Sequence, residues 1–485
     1  MSIQRPNGPA GSYFASLGVT TEVLQGVLNE ALSRGGDDCD LYFEHVNSTS
    51  VSLTDGKVNQ ASTHVSLGMG VRVRMGDQVG YAYSEDLSPS ALRNAAKTAA
   101  GIANSASQRK VATPVAIDLP NHYPVTLPWD DVGIQHRVEL VRKWEKAAFE
   151  KDERIQRVEV SLSDAAKVIM VVRPDGRLVE DWRPMTRASV RCTAEAVGLD
   201  GAVVRESSGY NIAGRSGLEF LDEDRQERLI DEAVDRTTFL LDATSPSPGE
   251  MPVVLAAGPS AILLHEAIGH GMEADFNRKR ISIYADKMNQ SIANDQVTIV
   301  DDGTIDGARG SINVDDEGNH TERTVLVQNG ILRSYMHDEL SAKHYGLQPT
   351  GSGRRQSFRH APLPRMRSTV MEPGPHDPQE IIESVKNGIY CVSFANGAVH
   401  IGGGDFSFYM KTGYRIENGK LTQPIKDVNI IGNGPEALAR IDMVGNDLKI
   451  DEGGWTCGKD GQSVPVSQGM PTVRVSSLVV GGEQA

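Results

Sequence analysis

The chain has 485 residues, 39% hydrophobic and 23% charged, the balance of a soluble globular protein too long for one ordinary core. Its 49 Lys and Arg against 64 Asp and Glu leave a net charge of −15, which argues against broad binding to nucleic acid or an anionic membrane surface. Aromatic residues make up only 5%, so Val, Ile, Leu, Ala and Met must fill the cores, while 49 glycines and 23 prolines imply many turns and a strand-rich chain.

Met1 to Gly18 has no apolar stretch and does not read as a secretory signal. Thr21 to Arg34 has helical spacing, with Val23, Leu24, Val27, Leu28 and Leu32 on one side and Gly35-Gly36 as the stop. Cys39 to His45 and Ser48 to Leu53 alternate as strands, with a hairpin turn at Asp55-Gly56. A second hairpin is expected for Leu67 to Arg74 and Val79 to Ser84, and Ser88-Pro89 should cap an Ala-rich helix to about Ala106. Residues 1–107 thus read as an α+β region with an antiparallel sheet and helices, and residues 108–131 as a linker.

Residues 132–241 read as a central α+β region. Its expected elements are a helix from Val132 to Lys151, strands at Arg157 to Leu162, Lys167 to Val172, Thr186 to Val197 and Ala202 to Ser208, and an amphipathic helix from Leu221 to Leu241. Asp242 to Glu250 is Ser/Pro/Gly-rich and marks the clearest boundary. Residues 251–485 read as a β-rich C-terminal domain, in which a strand from Pro252 to Ala256 feeds a helix starting near Gly258-Pro259-Ser260. The fold class is α+β. The most apolar window, Pro252 to Leu264, is 13 residues, against roughly 20 for a membrane span.

The four cysteines, Cys39, Cys192, Cys391 and Cys457, show no CxxC pairing, which suits a reducing cytoplasm, and the first three read as small buried hydrophobes. Arg354, Arg355, Arg359, Arg365 and Arg367 form the one basic cluster, read as a solvated loop, or else as a holder of a carboxylate or a partner subunit. His337, His344 and His400 read as surface or sheet-edge residues.

The chemistry centres on His265-Glu266-Ala267-Ile268-Gly269-His270. Imidazoles beside a Glu are how zinc hydrolases activate water at neutral pH: the ion lowers the water's pKa and the carboxylate takes its proton. In HExxH the two histidines are four apart, an angular displacement of about 40° on a helix; five apart, it is about 140°. Two such imidazoles cannot face one ion from a regular α-helix. The spacing therefore predicts a helix that widens into a π-bulge or breaks at Gly269-His270-Gly271. Zinc also needs a third protein ligand, for which Glu273 and Asp275 nearby, and Cys457 and the other histidines farther along the chain, are candidates. Cys457 lies in a Gly-rich segment, and Lys459 is expected to help hold its sulfur as thiolate. The residues alone leave the third ligand open.

The stretch Leu264 to Asn277 resembles the metal-binding segment of the TldD branch of the TldD/PmbA family. Thr298 to Gly318, Pro349 to Arg355, Gly404 to Phe406, Met443 to Leu448 and Cys457 to Val466 are similar to the same branch, as is the N-terminal run from Asp40 to Tyr83. The resemblance implies a zinc peptidase acting on unfolded peptides, usually as a heterodimer with a metal-free TldE/PmbA paralogue; charge and hydropathy leave nucleic acid and membrane out of its expected partners. It implies that His265, His270 and Cys457 bind zinc and that Glu266 is the general base. Tyr284 to Ala293 is a candidate for shaping the substrate channel. The competing reading is a scaffold or regulator with a structural zinc, closed by a fourth ligand such as Glu273 or Asp275.

Overall fold

The structure, a computed structural model, describes residues 10–105, 109–198 and 201–481. Residues 1–9, and the expected boundary at 107 and 108, lie outside the described residues. It is a mixed α+β fold dominated by strands, as expected.

A seven-stranded sheet runs through the first half of the chain. Strand Asp38–Thr54 pairs antiparallel with Lys57–Met75 on one side and Ile155–Val172 on the other, so regions read separately along the sequence share one sheet. Arg177–Val197 and Val203–Gly214 continue it, and Gln78–Ser84 ends it at the far edge. Several strands read as short pairs are single long ones: the polar Asn47-Ser48-Thr49 step stays paired on both sides instead of turning out. The Asp55-Gly56 turn takes φ of 50° and 75°, the left-handed conformation a two-residue hairpin loop demands.

Helices cover this sheet. Pro89–Ala100 starts at Ser88, whose side chain accepts the Ala91 amide, and buries Leu92, Ala95, Ala96 and Ala99. It ends at Gly101 and does not reach Ala106. Ile134–Lys151 and Glu223–Asp242 pack on the other part of the sheet around Trp144, Leu229 and Val234. No helix among the described residues is long and apolar enough to cross a membrane.

The C-terminal half contains two six-stranded sheets. In one, Gly249–Leu255, Asn387–Val399, Asp405–Glu417, Lys420–Asn433 and Val473–Gly481 pair in succession, and the last also pairs with the first, closing a ring. The other centres on Ile299–Asp302, Ser368–Met371 and Ser467–Met470. One apolar cluster joins Val253, Ile262, Leu264, Ile268, Phe408 and Val475.

The arginine cluster is not a solvated loop. Arg354, Arg355, Arg365 and Arg367 are all buried, and only Arg359 reaches solvent. The run reads as surface because its counter-charges lie far away in sequence: Arg355 meets Asp40 at 3.0 Å and Arg367 meets Asp301 at 2.7 Å. Further buried pairs stitch the seven-stranded sheet to the C-terminal half. Arg72, paired with Asp40 across its own sheet at 2.6 Å, reaches Glu317 at 2.7 Å, and Arg183 holds Asp316 at 2.6 Å. Breaking one side of such a pair leaves an uncompensated buried charge, a loss of about 3–5 kcal/mol.

Candidate metal centre

The segment after strand Gly249–Leu255 packs against the closed sheet, with Ile262, Leu263 and Leu264 buried. From His265 to Gly269 the helix is a π-turn, closed by the His270 amide donating to the His265 carbonyl, and a 3₁₀ turn follows over His270–Met272. The i→i+5 bond stacks residues five apart, which an α-helix cannot do. The two imidazole centroids are therefore 5.0 Å apart and edge-to-face.

The glycines flanking His270 act through space rather than through left-handed backbone. Gly269 has φ of −55°. A Cβ there would lie 2.1 Å from Met366 Sδ, and one on Gly271 would lie 2.6 Å from the Tyr284 ring. The Tyr284 hydroxyl donates to the Ala267 carbonyl at 2.8 Å, holding the widened turn. Tyr284 is buried, so this part of the suggested channel segment supports the turn from behind.

Cys457 arrives from the far end of the chain on the hairpin Thr456–Lys459 and Gln462–Pro465, paired with Val464. Its sulfur lies 3.5 Å from His270 Nε2. One donor atom each from His265, His270 and Cys457 lie within 4.8 Å of one another, the only such group among the described residues. Zinc bonds of about 2.3 Å to sulfur and 2.05 Å to nitrogen at a tetrahedral angle place S and N about 3.6 Å apart, so the observed 3.5 Å fits that ion. His265 Nδ1 is buried without a hydrogen-bond partner, a second sign of a donor set arranged for an ion. Two imidazoles and a thiolate are the donors that zinc favours.

Burial alone raises the Cys457 thiol, but His265 and His270 outweigh it and bring it down to about 5. Lys459, expected to perform this service, is committed elsewhere: it meets Asp275 at 2.6 Å and Glu273 at 3.2 Å. Neither carboxylate points into the cluster as a fourth donor. Glu273 Oε2 lies 3.0 Å from His270 Nδ1, on the ring's opposite side from the sulfur. Burial opposes its charge, yet Lys459, His270 and Arg365 hold its pKa down to about 2. Arg365, fully buried, donates to the Cys457 carbonyl at 2.6 Å and lies 3.9 Å from Glu273. These supporting roles of Glu273, Arg365 and Tyr284 were not read from the sequence; only the His270–Glu273 spacing of three, a helical-neighbour distance, carried a signal.

Glu266 is half-buried, next to the histidine pair. Strand Asn387–Val399 passes close by: a Cβ on Gly397 would stand 3.1 Å from Glu266 Cγ. His400 and His344 are exposed, as expected. His337 is not: it is 1% exposed, packed against Tyr335 and Tyr345, and burial lowers its pKa to about 4.

Three family models match in order along the chain: the PmbA/TldA metallopeptidase domain 1 at residues 39–103, the central domain at 127–241 and the C-terminal domain at 248–482. A metalloprotease TldD homolog of Haemophilus influenzae is 37% identical over 472 residues, covering 96% of this chain and 97% of its own. A zinc metalloprotease TldD homolog of Saccharolobus solfataricus is 36% identical over 258 residues, 53% of this chain and 55% of its own. The crystal structure of TldE from Thermococcus kodakarensis shares the fold, with a TM-score of 0.73 at 18% identity over 95% of this chain and 100% of that one. The chain belongs to the TldD/PmbA family of metallopeptidases.

Proposed function

We propose that the chain is a zinc-dependent peptidase hydrolysing unfolded peptides or small proteins, the catalytic subunit of a complex with a TldE/PmbA-like paralogue. The observation that carries this reading is the open donor set. His265, His270 and Cys457 converge, while Glu273 and Asp275, the nearby carboxylates able to close a fourth position, are tied to Lys459. Three protein ligands leave room for water and substrate; a structural site takes four. The scaffold reading would need that fourth ligand, and the family disfavours it too.

His265, His270 and Cys457 would hold the ion, with Glu273 fixing the tautomer of His270 by accepting from Nδ1 so that Nε2 faces the sulfur. Zinc, when bound, supplies Lewis acidity that activates a water and polarises the scissile carbonyl. Glu266 accepts the proton of the attacking water and returns it to the leaving amine. The cysteines are all free and buried, which suits a reducing cytoplasm. The paralogue partnership rests on the fold shared with TldE.

The test is metal content and peptide hydrolysis for the wild type, Glu266→Ala and Cys457→Ala, each with and without a TldE-like paralogue. Close to one zinc per chain is expected, lost in Cys457→Ala and kept in Glu266→Ala with hydrolysis abolished. Unchanged hydrolysis in Glu266→Ala would overturn the mechanism, and full zinc in Cys457→Ala would remove that cysteine from the site.

A further inference from the structure

A cavity of about 480 Å³ lies between the seven-stranded sheet and the hairpin that carries Cys457. That volume suits a small ligand. Seven cations line it against two carboxylates, Glu44 and Asp316. Four of the cations have acidic partners: Lys167 with Glu44, Arg183 with Asp316, Arg355 with Asp40 and Arg359 with Glu85. The other three, Arg215, Arg309 and Arg354, make no ion pair among the described residues.

These three are not exposed side chains free to reach water at will. Arg215 is 4% exposed, its Nε is buried without a hydrogen-bond partner, and its guanidinium sits 5.4 Å from the centre of the Tyr123 ring. Arg354 is also 4% exposed and donates to the carbonyls of Met366 and Pro465. Arg309 donates to the Trp455 carbonyl at 3.0 Å, and contacts Thr456 Oγ1 and Met185 Sδ, each at 3.2 Å. A guanidinium carries five donors, so Arg215 and Arg354 have donors left over. Burial lowers the pKa of both Arg309 and Arg354 to about 9, and the charge of Arg215 adds to the effect on each. Arg215 repels both Arg309 and Arg354, a repulsion that Asp316 offsets only in part at Arg354 and that a bound anion would relieve.

We propose that this cavity is an oxyanion site, in which Arg215, Arg309 and Arg354 hold a carboxylate or phosphate group. Guanidinium groups match the geometry of both oxyanions. The site is separate from the metal donors and goes beyond the peptidase reading. It is joined to them through the hairpin, since Arg309 holds Trp455 and Thr456 beside Cys457, and Arg354 holds Pro465 across from Thr456. An anion there would tighten the strand that carries the sulfur. Two sources share this chemistry: a free phosphate-type anion, and the C-terminal carboxylate of a peptide.

The test is the thermal midpoint of the full chain, which does not depend on hydrolysis. Sodium phosphate should raise it by about 2 °C or more over sodium chloride at equal ionic strength. Arg215→Met should remove that rise while unfolding at the same or a higher temperature in chloride alone, because it deletes an unpaired buried charge. A short peptide with a free C-terminus, compared with its C-terminal amide, separates the sources. A rise with the acid but not the amide identifies the peptide terminus, and a rise with phosphate alone identifies a free anion. No rise with any probe, or an equal phosphate effect in Arg215→Met, would overturn the proposal.

Discussion

Replacing Glu273 with Gln tests whether its carboxylate fixes His270. The glutamate is fully buried and reaches three cationic or donor groups: His270 Nδ1 at 3.0 Å, Lys459 at 3.2 Å and Arg365 at 3.9 Å. Glutamine keeps the size and an acceptor oxygen but removes the charge. Lys459 still has Asp275, so the expected fold destabilisation falls at or below the low end of the ~3–5 kcal/mol range for a broken buried pair. The metal should be affected more specifically, because a neutral partner no longer favours the Nδ1–H tautomer with Nε2 turned to the sulfur. Such supporting contacts are worth about 10- to 100-fold in affinity, or about 1.4–2.7 kcal/mol. The assay is competition for zinc with a chromophoric chelator, run on folded protein as judged by its thermal transition. A zinc affinity within twofold of wild type in folded Glu273→Gln would refute the argument. Loss of one coordination position in the visible spectrum of the cobalt-substituted protein would instead make Glu273 a ligand.

Glu266→Gln should retain zinc and lose about 10²–10⁴-fold in peptide hydrolysis, read as kcat on a fluorogenic peptide. Gly269→Ala forces a methyl to within 2.1 Å of Met366 Sδ, so about 1–3 kcal/mol of stability should be lost by chemical denaturation, with zinc affinity falling as the π-turn shifts. Asp40 is buried, which opposes its charge, but Arg72 and Arg355 bring its pKa down to about 2. A depressed carboxylate contributes stability that is present above its unfolded pKa and lost as pH falls through the folded one. Wild type should therefore lose about 2 kcal/mol from this group between pH 4 and 2, and Asp40→Asn, less stable at pH 7, should show a flatter profile in that window.

The shape of the histidine turn was legible from spacing: histidines five apart face one way only if the helix widens or breaks, and it widens over His265–Gly269. What made room for it was not legible, because Met366 and Tyr284 lie outside the motif and nothing local reports their packing. Cys457 is 187 residues from His270, so no local pattern links them; its Gly-rich segment made it a candidate, and only the resemblance preferred it to Glu273 and Asp275. The arginine run was read first as a solvated loop for the same reason, and its second reading, that it holds carboxylates, is the one that matches. Charge clustered in sequence reads as solvated, whereas Asp40, Asp301 and Glu273, which lie against Arg355, Arg367 and Arg365, come from other strands and turns. Strand positions were largely visible through alternation, but the pairing of Asp38–Thr54 with Ile155–Val172 is a long-range choice.

The distance between the imidazoles and the sulfur also sets an order of events during synthesis. The histidine pair leaves the ribosome long before the hairpin at Thr456–Pro465 exists, and the strand Val473–Gly481 that closes the ring comes later still. A nascent or truncated chain therefore carries two imidazoles without their third donor. In the proposed reading, firm binding of the ion would wait until the last strands have folded, and hydrolysis would be withheld from the chain that is still being made.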